Sequence, residues 1–302
     1  MSVAGAVDLW KRKVPRRYQQ WVIETRLGAR RAIDAQRPLP EFLVIGAQRA
    51  GTSSLYKWLE AHPDVVASLR KETEYLTARW CRGEGWYRGH FPSRHSRRVA
   101  SALGRPPLVT FEASPNYLFH PLAPLRAATL VPDAKLVALL RNPVDRAFSH
   151  FQHEVRAGRE DLSFEDALDA EAERLAGEEG RMAADPCYRS LPWEQKSYVR
   201  RGHYAGQVER WVRAFGRDRL LVVRSEDLYA DTAGSYGRIL AFLGLAAWSP
   251  ASFDNFSYTS GTPRAAPPSA LAPATRQRLE AEFADANREL YDLLGEDLGW
   301  GA

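Results

Sequence analysis

The segment Gly46-Ala-Gln-Arg-Ala-Gly-Thr-Ser-Ser54 places two glycines, an arginine and three hydroxyl side chains within one short run. Set between a strand and a helix, such a loop turns several backbone N–H groups towards one point, where an anion is held. The spacing Gly46-x-x-x-x-Gly51 is that of a nucleotide P-loop. Thr52 follows, where an ATP or GTP site of this kind needs lysine. A phosphate cradle without the lysine that reaches a γ-phosphate points to a different donor nucleotide.

A second anion-binding pattern lies in Leu139-Leu-Arg-Asn-Pro-Val-Asp-Arg-Ala-Phe-Ser-His150. Asn142 is a good helix N-cap and Pro143 suits the first helical position. Arg141 then stands on the rim of the helix start, with Ser149 about two turns along. Arginine offers a planar fork to phosphate and serine adds a hydroxyl donor. Two such corners suit a nucleotide phosphorylated at both ends.

These corners need a frame. Apolar runs at 42–45, 108–111, 136–140 and 220–223 read as strands buried on both faces. Leu55, Trp58, Leu59 and His62 follow helical spacing, as do Val144, Phe148, Phe151 and Val155. The alternation predicts an α/β fold: a P-loop-like central parallel sheet with helices on both faces. Ligands of such sheets sit at the carboxyl ends of the strands, where Gly46 and Arg141 fall. Residues 154–180 hold ten acids and three arginines and read as a surface helix; the segment 257–268 reads as a loop. Leu279, Phe283, Ala286, Leu290, Leu293 and Leu294 mark a long helix stopped by Gly295.

The chain has 302 residues and a net charge of +5. Residues 1–37 carry nine Lys or Arg and three acids, so the remainder is close to neutral. The expected organisation is a basic N-terminal arm, 1–37, and a single domain, 38–302. Because the charge sits in the arm, no nucleic-acid-binding face is expected. The arm, with Trp10, Tyr18 and Trp21, is a candidate for peripheral contact with an anionic membrane; packing on the domain is the plainer reading. The N-terminus has no apolar core of signal-peptide type, and the expected location is cytoplasmic. Cys81 and Cys187 are accordingly expected to be reduced thiols.

The loop Gly46-Ala-Gln-Arg-Ala-Gly-Thr-Ser53 resembles the 5′-phosphosulfate loop of sulfotransferases that use 3′-phosphoadenosine 5′-phosphosulfate (PAPS). Arg141 with Ser149 resembles their 3′-phosphate motif. The likeness is greatest to the heparan-sulfate type of sulfotransferase domain and its bacterial relatives. It runs through His62-Pro63-Asp64, Lys71-Glu72-x-x-Tyr75-Leu76, Gly85-Trp86-Tyr87 and Glu112-Ala-Ser-Pro-Asn-Tyr117 to the C-terminal helix, about residues 40 to 300.

The resemblance implies PAPS as co-substrate, no metal, and a saccharide or small-molecule acceptor with a hydroxyl or amine. It implies 5′-phosphosulfate contacts from Gln48, Arg49, Ala50, Gly51, Thr52 and Ser53. It assigns the 3′-phosphate to Arg141 and Ser149, and a closing basic loop to Arg264. Arg201 is a further candidate for the same pocket. Glu72 is implied as general base and Arg49 as the cation at the leaving group. The family usually has lysine where Arg49 stands; arginine keeps the charge but delivers no proton at neutral pH. Lys71 would line the acceptor cleft. Glu112 is either a rival base or an acceptor-positioning group. Glu74 stands where the family often has histidine. His62, His150, His153 and His203 are alternative bases, and Trp80, Trp86 and Tyr87 either stack on a sugar or build core. A P-loop kinase or NTPase, and a non-catalytic nucleotide- or membrane-binding protein, are the competing readings. Oligomeric state is left open.

Overall fold

The computed structural model of the chain describes residues 16–33, 36–95, 102, 108–256 and 270–301. Its centre is a sheet of five parallel strands: β1 (Phe42–Gly46), β2 (Val65–Ala67), β3 (Val109–Ala113), β4 (Lys135–Leu140) and β5 (Leu220–Arg224). They lie in the order β2-β3-β1-β4-β5. Every residue of β1 is buried, as a strand covered on both faces requires. Phe42 stacks on Phe111 of β3 with ring centroids 4.9 Å apart.

Five helices do most of the positioning: α1 (Arg16–Ile33), α2 (Thr52–Ala61), α3 (Pro143–Arg156), α4 (Tyr204–Phe215) and α5 (Pro273–Leu294). The expected caps are in place. The Asn142 side chain accepts from the amides of Val144 and Asp145, with Pro143 at the first helical position. Gly295 ends α5 in the left-handed conformation, which glycine adopts without a Cβ clash. His62 closes α2, and its Nδ1 accepts from the Asp64 amide at 3.1 Å.

The order of strands places the two anion corners side by side. β1 pairs directly with β4, and the chain departs from β1 towards β2 and β3 on one side and returns to β4 on the other. That reversal opens a crevice at the carboxyl ends of β1 and β4. The Ala47 amide donates to Leu139 O at 2.6 Å, so the loop after β1 is tied to the end of β4.

Two expectations need correction. Cys81 and Cys187 form a disulfide across a sequence separation of 106. The acidic stretch 154–180 is not one surface helix. After α3 it breaks into the short helices Phe164–Asp169, Glu171–Leu175 and Glu178–Ala184. Glu154, Glu160, Glu171 and Glu178 are all buried. Their carboxylates are occupied: Glu160 takes Arg174, Lys196 and Tyr198, and Glu171 accepts from the Val199 and Arg200 amides. Charge density alone could not separate a solvated face from a set of buried anchors.

The helical part of the arm packs against the body. Leu27 is buried, the Arg30 and Arg37 guanidinium groups both donate to Phe91 O, and Glu24 pairs with Arg82.

Candidate active site

At the carboxyl ends of β1, β3, β4 and β5 lies one cleft of about 1050 Å³. The loop after β1 forms its floor. In Gly51 φ is +96°, and a Cβ there would stand 2.8 Å from the Tyr229 hydroxyl. Glycine is therefore required both by conformation and by close approach. Among the described residues, no protein group accepts a hydrogen bond from the amides of Gly51, Thr52 or Ser53. These are the orphan donors of the first turn of α2, open to an anion.

Arg49 and Arg141 stand over this floor. Arg49 Nε donates to Ser149 Oγ at 3.1 Å, and Arg141 Nη1 donates to Arg49 O at 3.3 Å. The Tyr204 hydroxyl donates to Arg141 O at 3.0 Å and fixes the turn beneath it. Burial, and then the Arg141 charge, hold the Arg49 pKa below its ordinary value. Among the described residues no carboxylate forms an ion pair with Arg49 or Arg141, and two adjacent cations of this kind are relieved by a polyanion. The residues at hand thus fit a phosphorylated, sulfated nucleotide.

The opposite wall carries the Lys71-Glu72 segment. Glu72 has φ +59°, and its amide donates to Ala113 O at 3.0 Å. Its carboxylate is half exposed to the cleft and pairs with Lys71 Nζ at 2.5 Å. Glu74, two residues on, also lines the cleft. It accepts from Thr77 Oγ1 at 2.7 Å and Asn116 Nδ2 at 3.2 Å. Burial, and then the Glu72 charge, push it up to about 7.

The cleft therefore gathers Gln48, Arg49, Gly51, Thr52, Ser53, Arg141, Ser149, Lys71 and Glu72. Ala50 is buried behind the loop. Glu112 is not in the cleft wall. It is wholly buried, accepting from the hydroxyls of Tyr87, Thr73 and Tyr117, and burial pushes its pKa up to about 7. Its carboxylate is thus taken up by hydroxyls inside the fold, and Glu112 anchors the wall from behind. Arg201 is also buried, held by Asn116, Ser197 and Trp193. It reaches the cleft only through Asn116. Arg264 and the segment 257–268 lie outside the described residues.

Of the histidines considered, only His153 lines the cleft; burial and Arg49 lower its pKa. Tyr87 stacks on Tyr75 at 4.4 Å, and Trp86 packs edge-on against His90, so these aromatics are core.

Sequence reasoning missed Ser225, Glu226 and Tyr229, which line the cleft from the end of β5. Glu226 Oε1 accepts from the Asn142 amide at 2.9 Å. The strand at 220–223 was legible, and the rule for strand ends would have singled out the residues just beyond it. Asn255 and Phe256 also border the cleft, tied to α2 through Ser54. No local pattern marks them.

Comparison with known proteins decides the family. A sulfotransferase domain model matches residues 39–260. The chain belongs to the sulfotransferase family. This sulfotransferase is 30% identical over 282 residues to mouse heparan sulfate glucosamine 3-O-sulfotransferase 6, covering 88% of this chain and 75% of that one. It is 32% identical over 213 residues to mouse bifunctional heparan sulfate N-deacetylase/N-sulfotransferase 4, covering 68% of this chain but only 22% of that much longer one. Among solved structures, it superposes on a sulfotransferase from Alicyclobacillus acidocaldarius with a TM-score of 0.64 and 30% identity, covering 87% and 99% of the two chains. The protein is a transferase, with the five-stranded parallel sheet of its relatives. The kinase and non-catalytic readings fall.

Proposed function

We propose that this sulfotransferase takes the sulfuryl group from PAPS and gives it to a hydroxyl or amine of a saccharide. The observation that carries the reading is the single cleft, with open loop amides, Arg49 and Arg141 on one side and Glu72 with Lys71 on the other. The heparan sulfate relatives support a saccharide acceptor.

The loop and Arg49 hold the 5′-phosphosulfate, and Arg141 with Ser149 takes the 3′-phosphate. Glu72 accepts the proton of the acceptor hydroxyl or amine. The acceptor atom forms its bond to sulfur as the bond from sulfur to the bridging phosphate oxygen breaks. The products are the sulfated acceptor, adenosine 3′,5′-bisphosphate and protonated Glu72. Such transfers pass through a loose, in-line transition state, and catalysis rests on positioning and charge. Arg49 balances the charge that builds on the departing phosphate.

The cystine supports action in an oxidising compartment rather than among reduced cytosolic thiols.

The test is transfer from ³⁵S-labelled PAPS to an unsulfated glucosamine-containing oligosaccharide. Label in the saccharide and release of adenosine 3′,5′-bisphosphate are expected. Absence of label in any saccharide, with label entering a lipid or peptide instead, would sink the acceptor assignment.

A further inference from the structure

We infer that α1 builds a second, anion-recognising subsite, which takes a carboxylate or sulfate on an acidic saccharide chain at a distance from the reacting group. The inference rests on the saccharide acceptor proposed above and adds where along the chain its charge is read.

A second hollow, of about 420 Å³, lies between α1 and the edge strand β2. It meets the catalytic cleft at Leu69, which lines both. The floor is largely apolar, formed by Val66, Ala67 and Leu69, while Arg26 and Arg30 stand on its α1 side. Ile23 of the same helix lines the cleft itself. Ile23, Arg26 and Arg30 stand at i, i+3 and i+7, so one face of α1 runs from cleft to hollow. At 1.5 Å per residue, Ile23 and Arg30 are separated by about 10 Å along the axis. That is further than one sugar ring, and within reach of the next units of a chain.

No carboxylate pairs with Arg26, Arg30 or Arg37 among the described residues. Arg30 Nη2 and Arg37 Nη1 crowd onto the single carbonyl of Phe91, at 2.9 and 3.0 Å. Burial, then Arg37 and Arg26, push the Arg30 pKa down to about 10. Arg70 continues the positive track at the cleft edge, its pKa lowered by burial and by Arg79. His90, on the hollow's wall, is held neutral by burial, with a pKa near 3, so it supplies no charge of its own. Arginine forks over an apolar floor match an acidic sugar, whose ring lies on the floor while its oxyanion meets a planar guanidinium.

The cleft near the reacting group is mixed in charge: Glu72 and Glu74 line it together with Arg49, Arg70, Lys71 and Arg141, and Lys71 is paired with Glu72. The α1 hollow, by contrast, carries arginines and no carboxylate among its lining residues.

The test compares the full chain with Arg26→Ser and with the double variant Arg26→Ser/Arg30→Gln. Arg26 is exposed and makes no hydrogen bond among the described residues, so the single variant does not threaten folding. Three hexasaccharides serve as acceptors: alternating glucosamine and glucuronate, a carboxyl-reduced N-sulfated form, and neutral N-acetylglucosamine. Expected is a roughly tenfold rise in KM in the double variant for at least one acidic hexamer, with kcat within twofold. The neutral hexamer and affinity for adenosine 3′,5′-bisphosphate should be unchanged. Which acidic hexamer responds tells carboxylate from sulfate. An equal change for acidic and neutral hexamers, or no change for any, overturns the subsite. Should wild type sulfate none of them, the acceptor assignment falls; calorimetry with the acidic hexamers then reads the subsite alone. Binding weakened by the substitutions upholds it, and no binding by wild type overturns it.

Discussion

Arg49 Nε donates to Ser149 Oγ across 3.1 Å, joining the loop after β1 to the second turn of α3. The two anion corners are thus one unit. Arg141 closes the link by donating to Arg49 O. A ligand that occupies both corners orders Arg49 from two sides, and its guanidinium is already placed when charge develops on the leaving phosphate. Preorganised donors of this kind cost no rearrangement during reaction.

The link separates two substitutions that sequence alone would group together. Arg49→Ala removes the cation at the leaving group and should lower kcat by roughly 10² to 10³, the range for a lost charge-stabilising donor. Ser149→Ala keeps that cation but removes its hydrogen-bond acceptor and, in the proposed binding mode, a 3′-phosphate donor. It should weaken binding of adenosine 3′,5′-bisphosphate by roughly tenfold, about 1.4 kcal/mol. Calorimetry and steady-state kinetics on both variants check the division. A Ser149→Ala enzyme with intact nucleotide affinity would count against the 3′-phosphate assignment.

Glu72→Ala should cut turnover by roughly 10² or more, as expected for a lost general base, and leave nucleotide affinity within about twofold. Glu72→Gln keeps the side chain's size and should be equally slow if proton transfer is the role. A Gln variant that restores turnover would recast Glu72 as a hydrogen-bonding group. Lys71, bound to the same carboxylate, should affect KM for the acceptor more than kcat.

The frame was legible because its signals are local. Four apolar runs, the cap Asn142-Pro143 and the stop at Gly295 each follow from residue type and spacing within a few positions. The two anion corners were legible for the same reason. What escaped were residues whose place depends on how distant elements meet. Nothing near Glu112 says that the hydroxyls of Tyr87, Thr73 and Tyr117 will close around it and turn it from the cleft. Nothing near Asn255 says that Ser54 will hold it at the edge of the cleft. Two cysteines separated by 106 positions carry no pairing signal either.

The cystine joins the segment after Glu74 to the segment just beyond the helix Glu178–Ala184. It closes a loop of about a hundred residues. Chain-entropy arguments give such a crosslink about 4 to 5 kcal/mol, with measured losses of about 2 to 5 kcal/mol. Cys81→Ser/Cys187→Ser, or treatment with dithiothreitol, should therefore lower the melting temperature. At about 2 to 4 °C per kcal/mol for a chain somewhat smaller than this one, the drop should be several degrees or more. The wall that carries Glu72 lies close in sequence to Cys81, so acceptor KM should rise in the same variant. Unchanged melting with and without reductant would show that the bond contributes nothing to the fold.

Glu112 gives a pH dependence with a definite sign. Burial pushes its folded pKa up to about 7 from a reference of 4.5. Between those values the folded chain keeps a proton that the unfolded chain has lost. Stability therefore falls as pH rises from about 4.5 to about 7, and is level above that. A displacement of this size corresponds to about 3 kcal/mol. Glu112→Gln removes the titration while the amide can still meet its neighbours: its oxygen accepts from Tyr87 and Tyr117, and its N–H groups face the Thr73 and Ser114 hydroxyls. Denaturant unfolding at pH 5 and pH 8 should show wild type losing about 2.5 kcal/mol more than the variant over that interval. Glu74 titrates in the same window but is present in both proteins, so the difference isolates Glu112. Parallel losses in the two proteins would mean that the four surrounding hydroxyls already hold the Glu112 carboxylate ionised throughout.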